Sequence, residues 1–142
     1  MRTVLIAQDH EAEDIRITHK EGASLARHGI EVLYITGKKS QSYSGETVNG
    51  IKTYTYNKAD FPLNIPHITW RIERFRYLRW LKKMTLAFNA DIYHIHELSL
   101  YKIARYLKRH GKKVIFDQHE DSPGQMYQGI IELYNNPLLA RL

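Results

Sequence analysis

A doubly wound α/β fold, a mainly parallel sheet of about five strands with helices on both faces, is the class this sequence predicts. Three observations carry it. Residues 4–7, 32–35, 92–95 and 114–116 are short apolar runs, each the length of a strand buried on both faces of a parallel sheet. Amphipathic helical patterns lie between them, and two of these patterns finish alike, as Arg27-His28-Gly29 and Lys108-Arg109-His110-Gly111. Basic residues in a last turn suit the helix dipole, and the glycine supplies the left-handed stop.

Taken in order, strand 4–7 leads to a helix whose start is predicted at Thr18, where Thr18-His19-Lys20-Glu21 matches a capping box, and whose end is Gly29. Strand 32–35 follows. Residues 38–50 hold Ser, Gly, Gln and Asn with few apolar side chains and predict a mobile surface loop. Residues 51–56 alternate Ile51, Thr53 and Thr55 with Lys52, Tyr54 and Tyr56, the pattern of a half-exposed edge strand. A long helix then carries Trp70, Tyr77, Trp80, Leu81, Met84 and Phe88 on its predicted inner face. Strand 92–95, a helix with Leu100, Ile103, Ala104 and Leu107 on one stripe, and strand 114–116 complete the sheet. Ser122-Pro123-Gly124-Gln125 opens a last helix, interrupted at Asn135-Asn136-Pro137.

With 142 residues, the chain has room for one domain, 1–142, and its 43% apolar and 25% charged content is that of a globular protein. No run reaches the roughly 18 apolar residues that span a bilayer, and the opening apolar segment turns polar at Gln8, too early for a secretory signal. The absence of cysteine excludes disulfides, thiolate metal sites and cysteine nucleophiles, and fits a reducing, cytoplasmic location. A net charge of +6 favours anionic partners.

Ligands of open α/β sheets bind beyond the carboxyl ends of the strands, where strand order reverses. Three loops are expected to meet there: Gln8 to Asp14, His96-Glu97, and Asp117 to Asp121. Histidines and carboxylates from distant segments thereby converge, and His119, between a buried strand and a capped helix, is the strongest single candidate. Dinucleotide binding is excluded because the first strand lacks the glycine-rich turn that admits a pyrophosphate, and no Walker A sequence is present. His94, His96, Glu97, His119 and Asp121 are metal-ligand types, and His94 and His96 share a face only if their strand stays regular. The plain alternative for Glu11, Glu13 and Asp121 is that they cap strand ends and helix starts.

The long helix concentrates charge. Arg71, Arg74, Arg76, Arg79, Lys82 and Lys83 face the single acid Glu73, a net +5 within 13 residues. An ordinary amphipathic helix with solvated arginines is one reading. Contact with an anionic membrane through Arg71, Arg76, Arg79, Lys82 and Lys83 is the other. Nucleic acid is not expected as a partner, since no binding signature accompanies the charge.

Four stretches, in this order and spacing, carry a family resemblance: His10-Glu11-Ala12-Glu13-Asp14-Ile15-Arg16-Ile17, Glu21-Gly22-Ala23-Ser24-Leu25-Ala26-Arg27-His28-Gly29-Ile30-Glu31-Val32, Asp91-Ile92-Tyr93-His94-Ile95-His96-Glu97, and Gly111-Lys112-Lys113-Val114-Ile115-Phe116-Asp117-Gln118-His119-Glu120-Asp121. They resemble the N-terminal half of the GT-B glycosyltransferases of family four, over nearly the whole chain. The resemblance implies a Rossmann-like domain that binds the acceptor while a second domain holds the nucleotide sugar. It implies that His10, Asp14 and Arg16 face the acceptor, that His96, Glu97 and Glu120 line the cleft, and that His119 is catalytic, approaching the donor sugar and its phosphate. It also implies reaction without a metal or other cofactor.

The donor domain and the last strands of the N-terminal domain are not in the 142 residues, so the resemblance further implies that this chain is inactive alone. Its expected partners are a nucleotide sugar, held by a donor domain or partner subunit, a sugar or lipid-linked acceptor, and an anionic membrane surface touched peripherally from the cytoplasm. Polysaccharide or glycolipid assembly is the expected setting. Two readings from other classes remain: a non-catalytic Rossmann-like module that uses its basic helix on a membrane or partner, and a small metal-dependent hydrolase built on His96 and His119.

Overall fold

A computed structural model describes residues 1–37, 44–56 and 66–117, with backbone alone for 44–48 and 66–68. The strands are β1 Arg2–Ala7, β2 Glu31–Thr36, β3 Ser44–Val48, β4 Ile51–Thr55, β5 Ile92–Ile95 and β6 Lys113–Phe116. They form one six-stranded sheet in the order β3-β4-β2-β1-β5-β6. All pairings are parallel except β3 with β4. The five expected strands are all present, and the α/β class holds.

β3 corrects the sequence reading, which placed 38–50 in a loop. Residues Asn49 and Gly50 take φ of 51° and 80°, the two positive values that a tight hairpin turn needs and that Asn-Gly accommodates best. The hairpin makes β3 the outermost strand. β4, expected at the edge, is therefore flanked by β2 and β3.

Strand parity divides the core. Val4 and Ile6 of β1, with Leu33, Ile35, Tyr93 and Ile95, face one side, where Tyr77 and Leu81 of α2 (Pro66–Phe88) and Leu100, Ile103 and Leu107 at α3 (Tyr101–Arg109) cover them. Leu5 and Ala7, with Val32, Tyr34 and Ile51, face the other. Ile17, Leu25 and Ala26 cover that side, from a helical segment that begins as a π-helix over Ile15–Gly22 and continues as α1, Ala23–Arg27. Helices thus lie on both faces, as a doubly wound sheet requires.

That first helical segment starts earlier than Thr18. Asp14 is the cap: its Oδ1 accepts the amides of Arg16 and Ile17, both at 2.9 Å. Thr18, the expected cap, is buried and donates its hydroxyl to the Asp14 carbonyl at 2.6 Å. Gly22 allows the segment to lie flat on the sheet, because a Cβ there would meet Ile51 Cδ1 at 2.5 Å and the Ile17 carbonyl at 3.1 Å.

α2 is longer than the sheet beneath it. At 23 residues it spans about 34 Å, whereas a six-residue strand spans about 20 Å. Tyr77 already sits over the carboxyl end of the sheet, against Gly37. The turns before it overhang. Trp70, expected on the inner face, is consequently 67% exposed, a correction that follows from length rather than periodicity. At the other end, Arg2 donates to the Phe88 carbonyl at 2.8 Å and pairs with Glu31, tying α2, β1 and β2 together. The buried Tyr93 hydroxyl donates to the Thr85 carbonyl at 2.6 Å and accepts the Ala90 amide at 2.9 Å.

Candidate functional site

From β1 the chain moves outward through β2 to β4 and β3, then returns to lay β5 against the free side of β1. Strand order reverses between β1 and β5, so their carboxyl ends open the crevice in which open α/β sheets bind ligands. The loop 8–14 lies there, and Glu97 organises it. Its Oε2 accepts the Gln8 amide at 2.9 Å and its Oε1 the Asp9 amide at 2.7 Å. Ser99 donates its hydroxyl to the same carboxylate at 3.3 Å.

His10, Glu11 and the side chain of Gln8 are also held. Thr36 donates its hydroxyl to the His10 carbonyl, and Tyr34 donates to the Glu11 carbonyl at 3.2 Å. Arg74, from the overhanging part of α2, donates to the Gln8 side chain and, at 2.6 Å, to the Ser99 carbonyl. Gly37 packs against the loop so closely that a Cβ would stand 2.9 Å from the Gln8 carbonyl and 3.2 Å from the Tyr77 ring. Burial pushes the hydroxyls of Tyr34 and Tyr77 well above the usual tyrosine range, so both stay neutral.

His10 is the part-exposed group that this scaffold presents. Its Nδ1 lies 2.8 Å from Asp14 Oδ2, and its Nε2 is 3.9 Å from Glu97 Oε1. Partial burial opposes the Asp14 charge, but the Ile17 amide, the His10 ring and the Arg16 amide outweigh it and hold the carboxyl below its ordinary value. A ring fixed between two carboxylates is oriented to exchange a proton or hydrogen bond with a ligand hydroxyl.

Of the residues selected from the sequence, His10, Asp14, Arg16, His96 and Glu97 come together at this edge. Their roles differ. Asp14 and Glu97 are occupied by backbone amides and serve to shape the loop. Arg16 places Nε in a buried position with no hydrogen-bond partner among the described residues. His96, read as a cleft wall, has a ring with no exposed surface, turned toward Glu21. His119 and Glu120 lie outside the described residues, as do Asp121 and the helix expected from Ser122. Sequence reasoning brought Gln8 to the crevice only as part of its loop, and it did not find Thr36 or Arg74. The signal for Arg74 was present, as the one cation of α2 on the side of Tyr77 and Leu81.

A second concavity adjoins the first, with a volume of about 470 Å³. Trp70, Arg71 and Phe75 of α2 line it with Leu98, Tyr101 and Lys102. Its aromatic rings are open to solvent, Phe75 at 66% and Tyr101 at 52%. Of the basic set, Arg71, Arg79 and Lys83 are exposed, Arg76 lies 3.9 Å from the buried Glu73, and Lys82 sits over the Tyr106 ring at 4.9 Å. Among the described residues, no helix is long and apolar enough to cross a membrane.

No protein-family description and no curated sequence matches the chain. Solved structures do match. The glycotransferase of kitacinnamycin superposes with a TM-score of 0.58 at 14% identity, over 99% of this chain and 37% of that one. The fold is one that glycosyltransferases use. An E. coli trehalose-6-phosphate protein bound with UDP-2-fluoro glucose matches at 0.54 and 15% identity, over 82% of this chain and 32% of the other. The C-terminal domain of a Pyrococcus furiosus hydrogenase matches at 0.55 and 10% identity, over 82% and 90%. The chain thus spans about a third of the first two structures. At these identities the likeness concerns the fold, which hosts more than one chemistry.

Proposed function

We propose that this chain is the acceptor-binding half of a nucleotide-sugar-dependent glycosyltransferase of the GT-B type, family four, working with a donor-binding half in polysaccharide or glycolipid assembly. One observation carries the reading: the loop 8–14 is fastened through Gln8, Asp9, His10, Glu11 and Asp14 at the switch point of the sheet, yet leaves His10 part-exposed between two carboxylates. Such preorganisation serves the binding of a polar ligand. A sugar hydroxyl suits it, being both donor and acceptor. His119 is the proposed catalytic group and Glu120 a further substrate contact. In this reading the nucleotide is held by the other half, so the chain alone transfers no sugar.

Saturation-transfer NMR tests this, with the chain titrated by a panel of free mono- and disaccharides and by UDP- and GDP-sugars. The expected result is weak sugar binding that His10→Ala abolishes, and no tighter binding of the nucleotide sugars. Tight, stoichiometric nucleotide-sugar binding, or sugar binding that ignores His10→Ala, overturns it.

The exposed Trp70 and Phe75 beside Arg71 favour a second, compatible reading, in which the overhanging end of α2 rests on an anionic membrane surface from the cytoplasmic side and brings the crevice to a lipid-linked acceptor.

A further inference from the structure

Glu21, His94 and His96 make a separate polar cluster on the α1 face of the sheet, beside the crevice but outside the loop just described. β5 pairs regularly with β1 through Ile95, so two histidines two positions apart project from the same face. Their ring centroids lie 4.1 Å apart. Glu21 comes from the last turn of the π-helical segment, which Gly22 allows to lie close over Leu5 and Ile51. Leu5 is the residue of β1 directly beside His94.

Glu21 Oε2 is 3.7 Å from His94 Nδ1 and 3.7 Å from His96 Nε2. All three donor atoms fall within 4.8 Å of one another. A separation of 3.7 Å is too long for a hydrogen bond. Two ligand atoms held about 2.1 Å from a common ion, at tetrahedral to trigonal angles, stand about 3.4 to 3.6 Å apart. Glu21 Oε2 is itself buried and accepts no hydrogen bond among the described residues. The other nitrogen of His94, Nε2, faces Asp117 Oδ2 at 3.8 Å. At that separation Asp117 contributes negative charge beside the ring rather than a hydrogen bond.

We propose that Glu21 Oε2, His94 Nδ1 and His96 Nε2 bind one divalent transition-metal ion of the zinc class. Two imidazoles and one carboxylate form a donor set for such ions rather than for magnesium or calcium, which take oxygen. Three protein ligands leave a fourth position for water or an anionic oxygen. The site stands independently of the sugar-transfer reading.

Zinc chloride titrated into the whole chain, followed by calorimetry and by histidine-resolved NMR, tests the site. One equivalent is expected to bind, moving the ring signals of His94 and His96 together and leaving those of His10, His19, His28 and His110 in place. Glu21→Gln and His96→Gln are each expected to weaken binding more than tenfold, since each removes one of three ligands. No saturable binding overturns the proposal. So does binding that leaves the two ring signals unmoved in the wild-type chain, a readout that needs no variant to fold. Equal zinc affinity in Glu21→Gln overturns it as well.

Discussion

Glu97 Oε1 accepts the backbone amide of Asp9 at 2.7 Å, joining residues 88 positions apart across the β1–β5 boundary. With the Gln8 amide on Oε2, a single carboxylate sets the path of the loop. Charge-assisted bonds to backbone amides contribute about 1.5–3 kcal/mol each where solvent is largely excluded. Glu97→Ala is therefore expected to lower stability by about 2–4 kcal/mol in urea unfolding. Amide exchange should rise in 8–14 far more than in β1 itself. Equal exchange in both segments would show that the loop is held by something else.

Asp14 gives a pH test. Its pKa is lowered in the folded chain, so the unfolded chain takes up the proton first as pH falls. Its contribution is complete above the ordinary carboxylate range and is lost as pH drops through the folded value. Asp14→Ala is expected to cost about 0.5–2 kcal/mol near neutrality, the worth of a helix cap. The gap between variant and wild type should narrow steadily in denaturation series carried to acid pH. A constant gap would assign the loss to packing.

Gly37→Ala places a methyl 2.9 Å from the Gln8 carbonyl and 3.2 Å from the Tyr77 ring. Neither neighbour is the free end of a flexible side chain. A loss of about 1–3 kcal/mol is expected from overpacking, with weakened sugar binding because the displaced carbonyl belongs to the loop. A thermal midpoint equal to wild type would contradict the close approach.

Arg71, Arg79 and Lys83 are exposed along α2. If each contributes about 1 kcal/mol at an anionic surface, their joint replacement by glutamine should weaken binding to phosphatidylserine-containing vesicles about 100-fold. Binding to neutral vesicles is expected to be weak for both proteins. Unchanged affinity for the anionic vesicles would count against the membrane reading.

The fold was legible because burial on both faces leaves β1 and β2 continuously apolar, although β6, expected to be buried as well, exposes Ile115 and Phe116, and because Gly29 and Gly111 mark helix ends at φ of 76° and 70°. The Asn49-Gly50 turn was equally visible, but the polar residues around it masked the hairpin. Periodicity placed Tyr77 and Leu81 correctly and misplaced Trp70, since a wheel describes faces and knows nothing of where the sheet stops. At the site, proximity was legible and function within it was not. The sequence brings Glu97 to the crevice through topology. That its oxygens are taken up by two amides depends on the backbone path of residues 8 and 9, which no spacing encodes. Glu21 was hidden differently: it reads as part of a capping box, and only the π-helical winding carries it over β5.

The placing of β1 also governs how the chain comes together during synthesis. Parallel neighbours cannot be supplied by a local turn. β1 leaves the ribosome before the other five strands, yet its second neighbour, β5, begins at Ile92, and Glu97 follows it. Until that stretch emerges, one edge of a strand with the apolar run Val4–Ala7 stays unpaired, a standing opportunity for contact between nascent chains. Crevice assembly is thus a late folding event. Truncation before β5 would leave an aggregation-prone remnant rather than a smaller working domain.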